Sequence, residues 1–430
     1  MERSYDGSVP DFGLSTALGH TAYEGQRVNI VALGGCGGMG RYAVRTLLDF
    51  DFVERLVIAD RDVETAVAFA ETCGSGAVAA QIDLRDGPGI AKLLDDADVV
   101  LNTAGPFFRF AIPVIETAIE RGCHYIDICD DWEPTLEMLA LDDRARSAGV
   151  TALVGMGASP GVSNLLAMVA MESLASVDRV ITGWNIEDAA ADPRESDLAL
   201  FRPPRTGDEI TASGTREPSA SLVHWMHQCS GTIRMFRDGA FVDVPPVEQM
   251  ELEYPEIGTA TVWTVGHPEA VTLPRHRPEL RDCLNVMAGP PELIQTLSTL
   301  ARQVGTGDTS TAEAAARLGA MVADASGSAG AATDQPKLPP LFAVASGTSE
   351  DRPRIVAATV LGMPAGGMGG ATGVPLAAAL KLLADGRLGE HGVFAPEDII
   401  DPLLFFDGLA PLCKPLFEHG AQMLHVTSSD

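Results

Sequence analysis

At 430 residues the chain is long enough for two to three domains with conventional cores, and 46% hydrophobic with 21% charged residues excludes a disordered or collagenous protein. Lys plus Arg number 30 against 59 Asp plus Glu, a formal charge of −29 that repels phosphate backbones and anionic lipid, so neither nucleic acid nor a membrane is an expected partner. Seven cysteines without a CxxC pair, and a polar N-terminus in place of a basic-then-apolar leader, point to the cytoplasm.

Residues 1–26 lack periodicity and read as a surface arm. From Val28 the texture changes. VNIVALGG (28–35) is a short apolar run ending in glycines, as in a parallel strand buried on both faces, and RYAVRTLLDF (41–50) follows with helical spacing. RLVIAD (55–60), an amphipathic stretch over 66–73, AVAAQIDL (77–84), a helix over 89–94, DVVLNTAG (98–105), a helix over 113–121 and HYIDIC (124–129) continue the alternation. A helix over 135–148 and a strand over 151–155 complete it. The pattern predicts an α/β fold: a Rossmann-type doubly wound parallel sheet over 27–155. Longer, more polar strand-like runs, TIRMFRDGAFVDV (232–244) and TATVWTV (259–265), mark an inserted α+β substrate and dimerisation domain over 156–350, with a flexible Gly-rich loop near 322–337. Residues 351–430 are expected to return to the first domain. Residues 151–171 and 355–380 are uncharged and of membrane-span length, but Pro160, Asn164, Pro364, Pro375 and a glycine run interrupt them, so both read as strand, turn, then helix.

Gly35-Cys36-Gly37-Gly38-Met39-Gly40 is a G-x-G-x-x-G between a strand and a helix, where glycines allow a tight turn and bring a pyrophosphate close to backbone N–H groups and the helix dipole. Asp60 follows Gly40 by 20 residues at the end of the next strand, the position that binds a ribose diol. Together they predict a bound dinucleotide. A carboxylate there favours NAD, while the neighbouring Arg61 could meet a 2′-phosphate and leaves NADP open. Asp83, after the third strand, approaches the adenine or caps a helix. Asn102, Thr103, Ala104, Gly105 and Pro106 follow the fourth strand at the carboxyl edge of the sheet, where small residues let the cofactor pass and the Asn amide could hold ribose or nicotinamide.

His124, Tyr125, Asp127, Asp130 and Asp131 cluster around the fifth strand, and a carboxylate or imidazole there could move the proton that accompanies hydride transfer. Asp131 and His124 lead as catalytic candidates, with Asp130 beside them and Phe107, Asp127 and His224 toward the substrate. The competing reading makes Asp131 only the cap of a helix beginning near Glu133. His224 and His227 stand at helical i, i+3 spacing, but without a third and fourth ligand in sequence no metal is expected. Arg202, Arg205, Arg216 and Arg234 could grip a substrate carboxylate or lie on the surface.

These pieces resemble the saccharopine dehydrogenase-like oxidoreductases, through LGGCGGMGR (33–41), IADRD (58–62), VVLNTAGPF (99–107), GCHYIDICDDWE (122–133), MGASPGVSN (156–164), GHPEAVTLPR (266–275), GGATGVPLAAALKLLADG (369–386) and GVFAPED (392–398). The resemblance implies a nicotinamide coenzyme, C–N redox chemistry on a small amino-acid, amine or imine substrate, and a homodimer. Ser159 stands where amino-acid-forming members carry the Asp of Gly-x-Asp-Pro-Gly. No tyrosine has a lysine four residues later, and Ala104-Gly105-Pro106 replaces Glu-Lys-Pro, which disfavours short-chain and sugar dehydrogenases. A reductase of a lipid or polyketide C=C or C=O bond, and a non-catalytic dinucleotide sensor, remain the alternatives.

Overall fold

In the computed structural model, which describes residues 27–186, 220–325 and 337–429, the alternation that starts at Val28 closes into one parallel sheet. Strands β1 (Val28–Leu33), β2 (Val53–Asp60), β3 (Ala77–Gln81), β4 (Val99–Asn102), β5 (His124–Asp127) and β6 (Thr151–Leu153) lie in the order β6-β5-β4-β1-β2-β3, all parallel. This is the doubly wound dinucleotide order, with its switch point between β1 and β4. The crossovers are α1 (Gly40–Leu48), α2 (Val63–Thr72), α3 (Gly87–Leu93), α4 (Phe107–Arg121), and the pair α5 (Trp132–Leu139) and α6 (Asp142–Ala148). Both faces of β1 are dry: Ile30 and Ala32 join the core under α1, Val31 and Leu33 the core under α4.

Helix α7 (Val162–Glu172) leaves this sheet for a second, nine-stranded mixed one, and its residues Val162–Met171 are all buried because it is clamped between the two. The elements that follow are β7 (Ser176–Asn185), α8 (Ala220–Gln228), β8 (Ile233–Arg237), β9 (Ala240–Val244), β10 (Gln249–Tyr254), β11 (Gly258–Thr264), α9 (Glu269–His276), β12 (Asp282–Ala288), α10 (Pro291–Thr306), α11 (Thr311–Ala325), β13 (Leu341–Ser349) and β14 (Arg352–Val360). Helices α8, α10 and α11 share a core through Met226, Leu297 and Leu318.

The last stretch weaves between the sheets: β15 (Met363–Pro364), α12 (Gly367–Ala384), β16 (Gly392–Phe394), α13 (Pro396–Ile399), α14 (Pro402–Leu409), β17 (Cys413–Lys414), α15 (Gly420–Met423) and β18 (Leu424–Ser428). Strand β16 extends the parallel sheet beside β6, whereas β14 and β18 pair with each other in the second sheet. The return of 351–430 to the first sheet is therefore made by α12 and β16 only.

Two prolines mislead the sequence reading in the same way. Helix α4 begins at Phe107 and runs through Pro113, and α12 begins at Gly367 and runs through Pro375. An internal proline costs a helix about 3 kcal/mol, and the burial of Ala111, Val114, Ile115, Ala118 and Ile119 in one case and Leu376 to Leu380 in the other offsets it. Helix α12 is long and apolar enough to cross a membrane, but here most of it is buried against α1 and α14. The arm at 1–26, Arg202, Arg205, Arg216 and positions 326–336 of the Gly-rich loop lie outside the described residues.

Close approach of α12 to α1 depends on absent side chains. A Cβ on Gly373 would collide with the Met39 carbonyl oxygen and sit 3.0 Å from the Ala43 nitrogen. Gly373→Val should therefore destabilise by about 1–3 kcal/mol or more, read as a lower urea midpoint at unchanged m-value.

Candidate functional site

The carboxyl edge of the parallel sheet carries the site. Gly34 turns the chain out of β1 at φ 69°, and the loop is pinned from β4 by Thr103, whose N–H donates to the Leu33 carbonyl (2.9 Å) and whose hydroxyl lies 3.0 and 3.1 Å from the Leu33 and Gly34 carbonyls. Arg41 folds back to donate to the carbonyls of Gly37 (3.0 Å) and Cys36 (2.7 Å). With these carbonyls held, the space beside the loop is left to a ligand. A Cβ on Gly38 meets nothing within 4 Å and one on Gly37 meets only the Gly34 carbonyl at 3.0 Å, whereas a Cβ on Gly40 would strike the Gly34 carbonyl and Thr103 Oγ1. Gly37 and Gly38 thus form an open cradle that fits a pyrophosphate, while Gly35 and Gly40 are required by packing.

Asp60 ends β2 beside this loop and accepts from the Cys36 thiol (3.1 Å) and the Asp62 N–H (3.1 Å); burial first, then Asp60, raises the thiol pKa. Arg61 is exposed next to it. Asp83 pairs with Arg85 (2.5 Å) on the surface. Two predicted ligand contacts are corrected here. The Asn102 amide is fully buried and donates to Tyr125 Oη (3.0 Å), so it does not reach ribose or nicotinamide. Asp127, also fully buried, accepts from Tyr125 Oη (2.7 Å) and from the backbone N–H groups of Cys129 (3.0 Å) and Gly155 (2.7 Å), which makes it a brace between β5 and β6 and not a substrate ligand. Burial raises its pKa to about 6 against the lowering effect of these donors.

His124 is displaced furthest from its predicted role. It opens β5 at the amino end of the sheet, where its Nδ1 accepts the Thr151 N–H (2.9 Å) beside His391, a strand length from the crevice. Phe107 packs in the core under α4, and the half-exposed ring at the site is its neighbour Phe108, stacked on His227 at 4.9 Å.

Asp130, Asp131 and His224 do come together. Asp131 is buried and precedes α5, but it does not cap it: one oxygen accepts the Phe108 N–H (3.1 Å) at the start of α4. From α8, His224 Nδ1 lies 3.2 Å from carboxylate oxygens of both Asp130 and Asp131, and His227 Nδ1 lies 3.4 Å from Asp131. Burial works against charge on His224, but Asp130 and Asp131 outweigh it and push its pKa up to about 10. Burial likewise opposes ionisation of Asp131, and the two histidines outweigh it and hold the carboxyl below its ordinary range. The ligand atoms of Asp130, Asp131 and His224 fall within 4.8 Å of one another, close enough to share a metal ion, although ion pairing already uses them.

A second buried group faces the same edge and has no local signature. Ser159, in the turn after β6, and Ser163 donate to Glu269 Oε1 (2.5 and 2.6 Å), and Glu269 Oε2 meets His267 Nδ1 at 3.1 Å. These residues stand in the two quoted segments MGASPGVSN and GHPEAVTLPR; only their distance in sequence hid their meeting. Among the described arginines, Arg234 stacks on Trp132 (4.7 Å) and pairs with Asp243 (2.8 Å).

The first sheet matches the saccharopine dehydrogenase NADP binding domain over residues 30–153. A carboxyaminopropylagmatine dehydrogenase of Synechocystis sp. is 24% identical over 265 residues, 59% of this chain and 60% of that protein. A protein of Arabidopsis thaliana named as a saccharopine dehydrogenase-like oxidoreductase is 27% identical over 153 residues, 32% of this chain and 34% of its own. The apo saccharopine dehydrogenase (L-Glu forming) of Saccharomyces cerevisiae superposes with TM-score 0.58 at 16% identity, covering 94% of this chain and 100% of that one. Residues 30–153 belong to the saccharopine dehydrogenase NADP binding domain family. The matched domain is a nicotinamide-dinucleotide-binding one, and the Gly37–Gly38 cradle and Asp60 within it are placed to hold that ligand.

Two expectations follow. Gly37→Val should keep the fold, by thermal unfolding, and lose coenzyme binding by calorimetry, whereas Gly40→Val should lose both. The His224 pKa of about 10 exceeds the unfolded value of about 6.5, so stability from this pair is complete below about pH 6.5 and is lost as pH rises through ten. For Asp131, held low, it is present above about pH 3.9 and is lost as pH falls through the folded value. Urea unfolding should show a decline from pH 7 to 10 that flattens in His224→Phe, and Asp131→Asn should cost about 3–5 kcal/mol at neutral pH.

Proposed function

We propose that this chain is an NADP(H)-dependent oxidoreductase that moves hydride at the C–N bond of a cationic amine or its imine. One observation carries the reading: the open glycine cradle lies on the same sheet edge as a cluster of carboxylates and histidines, with Asp130 partly exposed at its rim. Positively charged nitrogen suits such a rim, and a lipid or polyketide chain, which wants an apolar tunnel, does not. The Synechocystis relative, named a dehydrogenase of carboxyaminopropylagmatine, agrees in kind.

The choice of NADP(H) departs from the expectation built on Asp60. Both oxygens of that carboxylate already accept hydrogen bonds, which spreads its charge, and the exposed Arg61 is positioned to meet a 2′-phosphate. The matching family domain is described as NADP-binding.

Calorimetry should find NADPH bound more tightly than NADH, with Arg61→Ala weakening NADPH by about tenfold, equivalent to about 1.4 kcal/mol, and sparing NADH. A panel of amines and imines that includes carboxyaminopropylagmatine, followed by absorbance of the reduced nicotinamide, should reveal turnover, and Asp130→Ala should raise KM for cationic substrates. NADPH binding without turnover on the whole panel would favour the sensor reading instead.

A further inference from the structure

Two members of the Asp131 group, Asp131 and His224, are sealed, whereas Asp130 and His227 are partly exposed. Asp131 is 1% exposed, and neither ring nitrogen of His224 reaches solvent. A proton exchanged with substrate needs a group whose titrating atom opens into the crevice.

His267 stands apart from that pair. It lies just after β11 in the segment leading to α9 and is 4% exposed, with the Trp184 ring against it at 4.7 Å. Its Nδ1 faces Glu269 Oε2 at 3.1 Å, and because a carboxylate only accepts, the Nδ1 proton points to Glu269. Ser159 Oγ stands 3.4 Å from the same nitrogen and donates to the other carboxylate oxygen, joined there by Ser163. Glu269 is fully buried, and burial opposes its charge, but His267, Ser159 and Ser163 outweigh burial and keep it ionised. The ring is thereby fixed in one orientation with Nε2 at the far side. That atom has no hydrogen-bond partner among the described residues. Asp130 and Asp131 lie near enough to add to the effect of Glu269 on the charge of the ring.

We infer that His267 is the catalytic acid and base of this crevice, held by Glu269 through Nδ1 and exchanging a proton with the substrate nitrogen through Nε2. The inference rests on the C–N redox reading above. In reduction, His267 gives its Nε2 proton to the imine nitrogen as the C=N π pair moves there and hydride from the reduced coenzyme forms the new C–H bond. The substrate becomes an amine, the coenzyme is left oxidised, and the neutral ring takes a proton back from water. In oxidation, the neutral ring accepts the N–H proton, the freed pair forms the C=N bond, and hydride passes from the carbon to the oxidised coenzyme. Ser159 and Ser163 act through Glu269 as positioning residues. Burial lowers the pKa of the ring, and Glu269, Asp130 and Asp131 together outweigh it and raise it above its ordinary value.

Two measurements test this on the full chain. Carbethoxylation with diethyl pyrocarbonate at mildly alkaline pH, read by peptide mass spectrometry, should modify His267 but not His224, and saturating NADPH together with carboxyaminopropylagmatine should protect it. In steady-state kinetics, His267→Asn should fold, bind NADPH like the parent and lose about 10²–10⁴-fold in kcat. Glu269→Gln should lose less and move the acid limb of the kcat/KM profile to lower pH, because the ring loses its nearest negative charge. An unreactive or unprotected His267, or a folded His267→Asn with parental kcat, overturns the assignment. If the parent binds NADPH but turns over none of the panel, the C–N redox reading fails and the catalytic role of His267 fails with it; protection of His267 by NADPH alone would then mark it as a coenzyme contact only.

Discussion

The carboxyl edge of the parallel sheet depends on one buried carboxylate. Asp127 gathers the Tyr125 hydroxyl, the Cys129 N–H and the Gly155 N–H, and Tyr125 in turn receives the Asn102 amide, so the ends of β4, β5 and β6 are tied through a single side chain. Its neighbours in sequence inherit their positions from it. The turn it fixes delivers Asp130 and Asp131 to the histidines of α8, and the Gly155 end of the same brace leads into the turn that carries Ser159. A ligand edge made of three strand ends would otherwise open independently at each crossover; a fully satisfied buried network removes that freedom.

This brace also divides the polar residues of the site into two kinds. Those on the first sheet, Asn102, Asp127 and Asp131, are buried and internally paired, and their effect on a ligand is exerted through geometry and field. The partly exposed Asp130 and the buried His267 lie at the seam where the two sheets meet. On the proposed reading, substrate recognition is a property of the junction, whereas the coenzyme cradle belongs to the first sheet.

That division explains what the sequence reveals and what it conceals. Strand-turn-helix alternation, the glycine spacing and Asp60 are local signals, and each lands where its spacing places it. His124 and Asp130 look alike in sequence as residues flanking one strand, but a parallel strand has a ligand end and a far end, and His124 occupies the far one. Asn102 and Asp127 have the chemistry of ligands and the burial of core residues; only the partners across the sheet, Tyr125 among them, tell the two apart. His267 and Glu269 meet Ser159 across 108 and 110 residues, a separation over which no periodicity carries information. Pro113 and Pro375 hid helix that tertiary burial sustains.

The chain passes from the first sheet to the second at α7, returns to the first with α12 and β16, and ends in the second with β18. Neither sheet is thus encoded by a contiguous stretch of the gene. A fragment stopping at residue 360 would lack the edge strand of one sheet, the helix that covers α1 beside the glycine loop, and the final strand of the other. Modular exchange of the coenzyme half among relatives, simple when such a unit is a continuous segment, here needs three simultaneous crossovers, so new substrate preferences would arise more readily by point changes at the seam than by shuffling whole pieces.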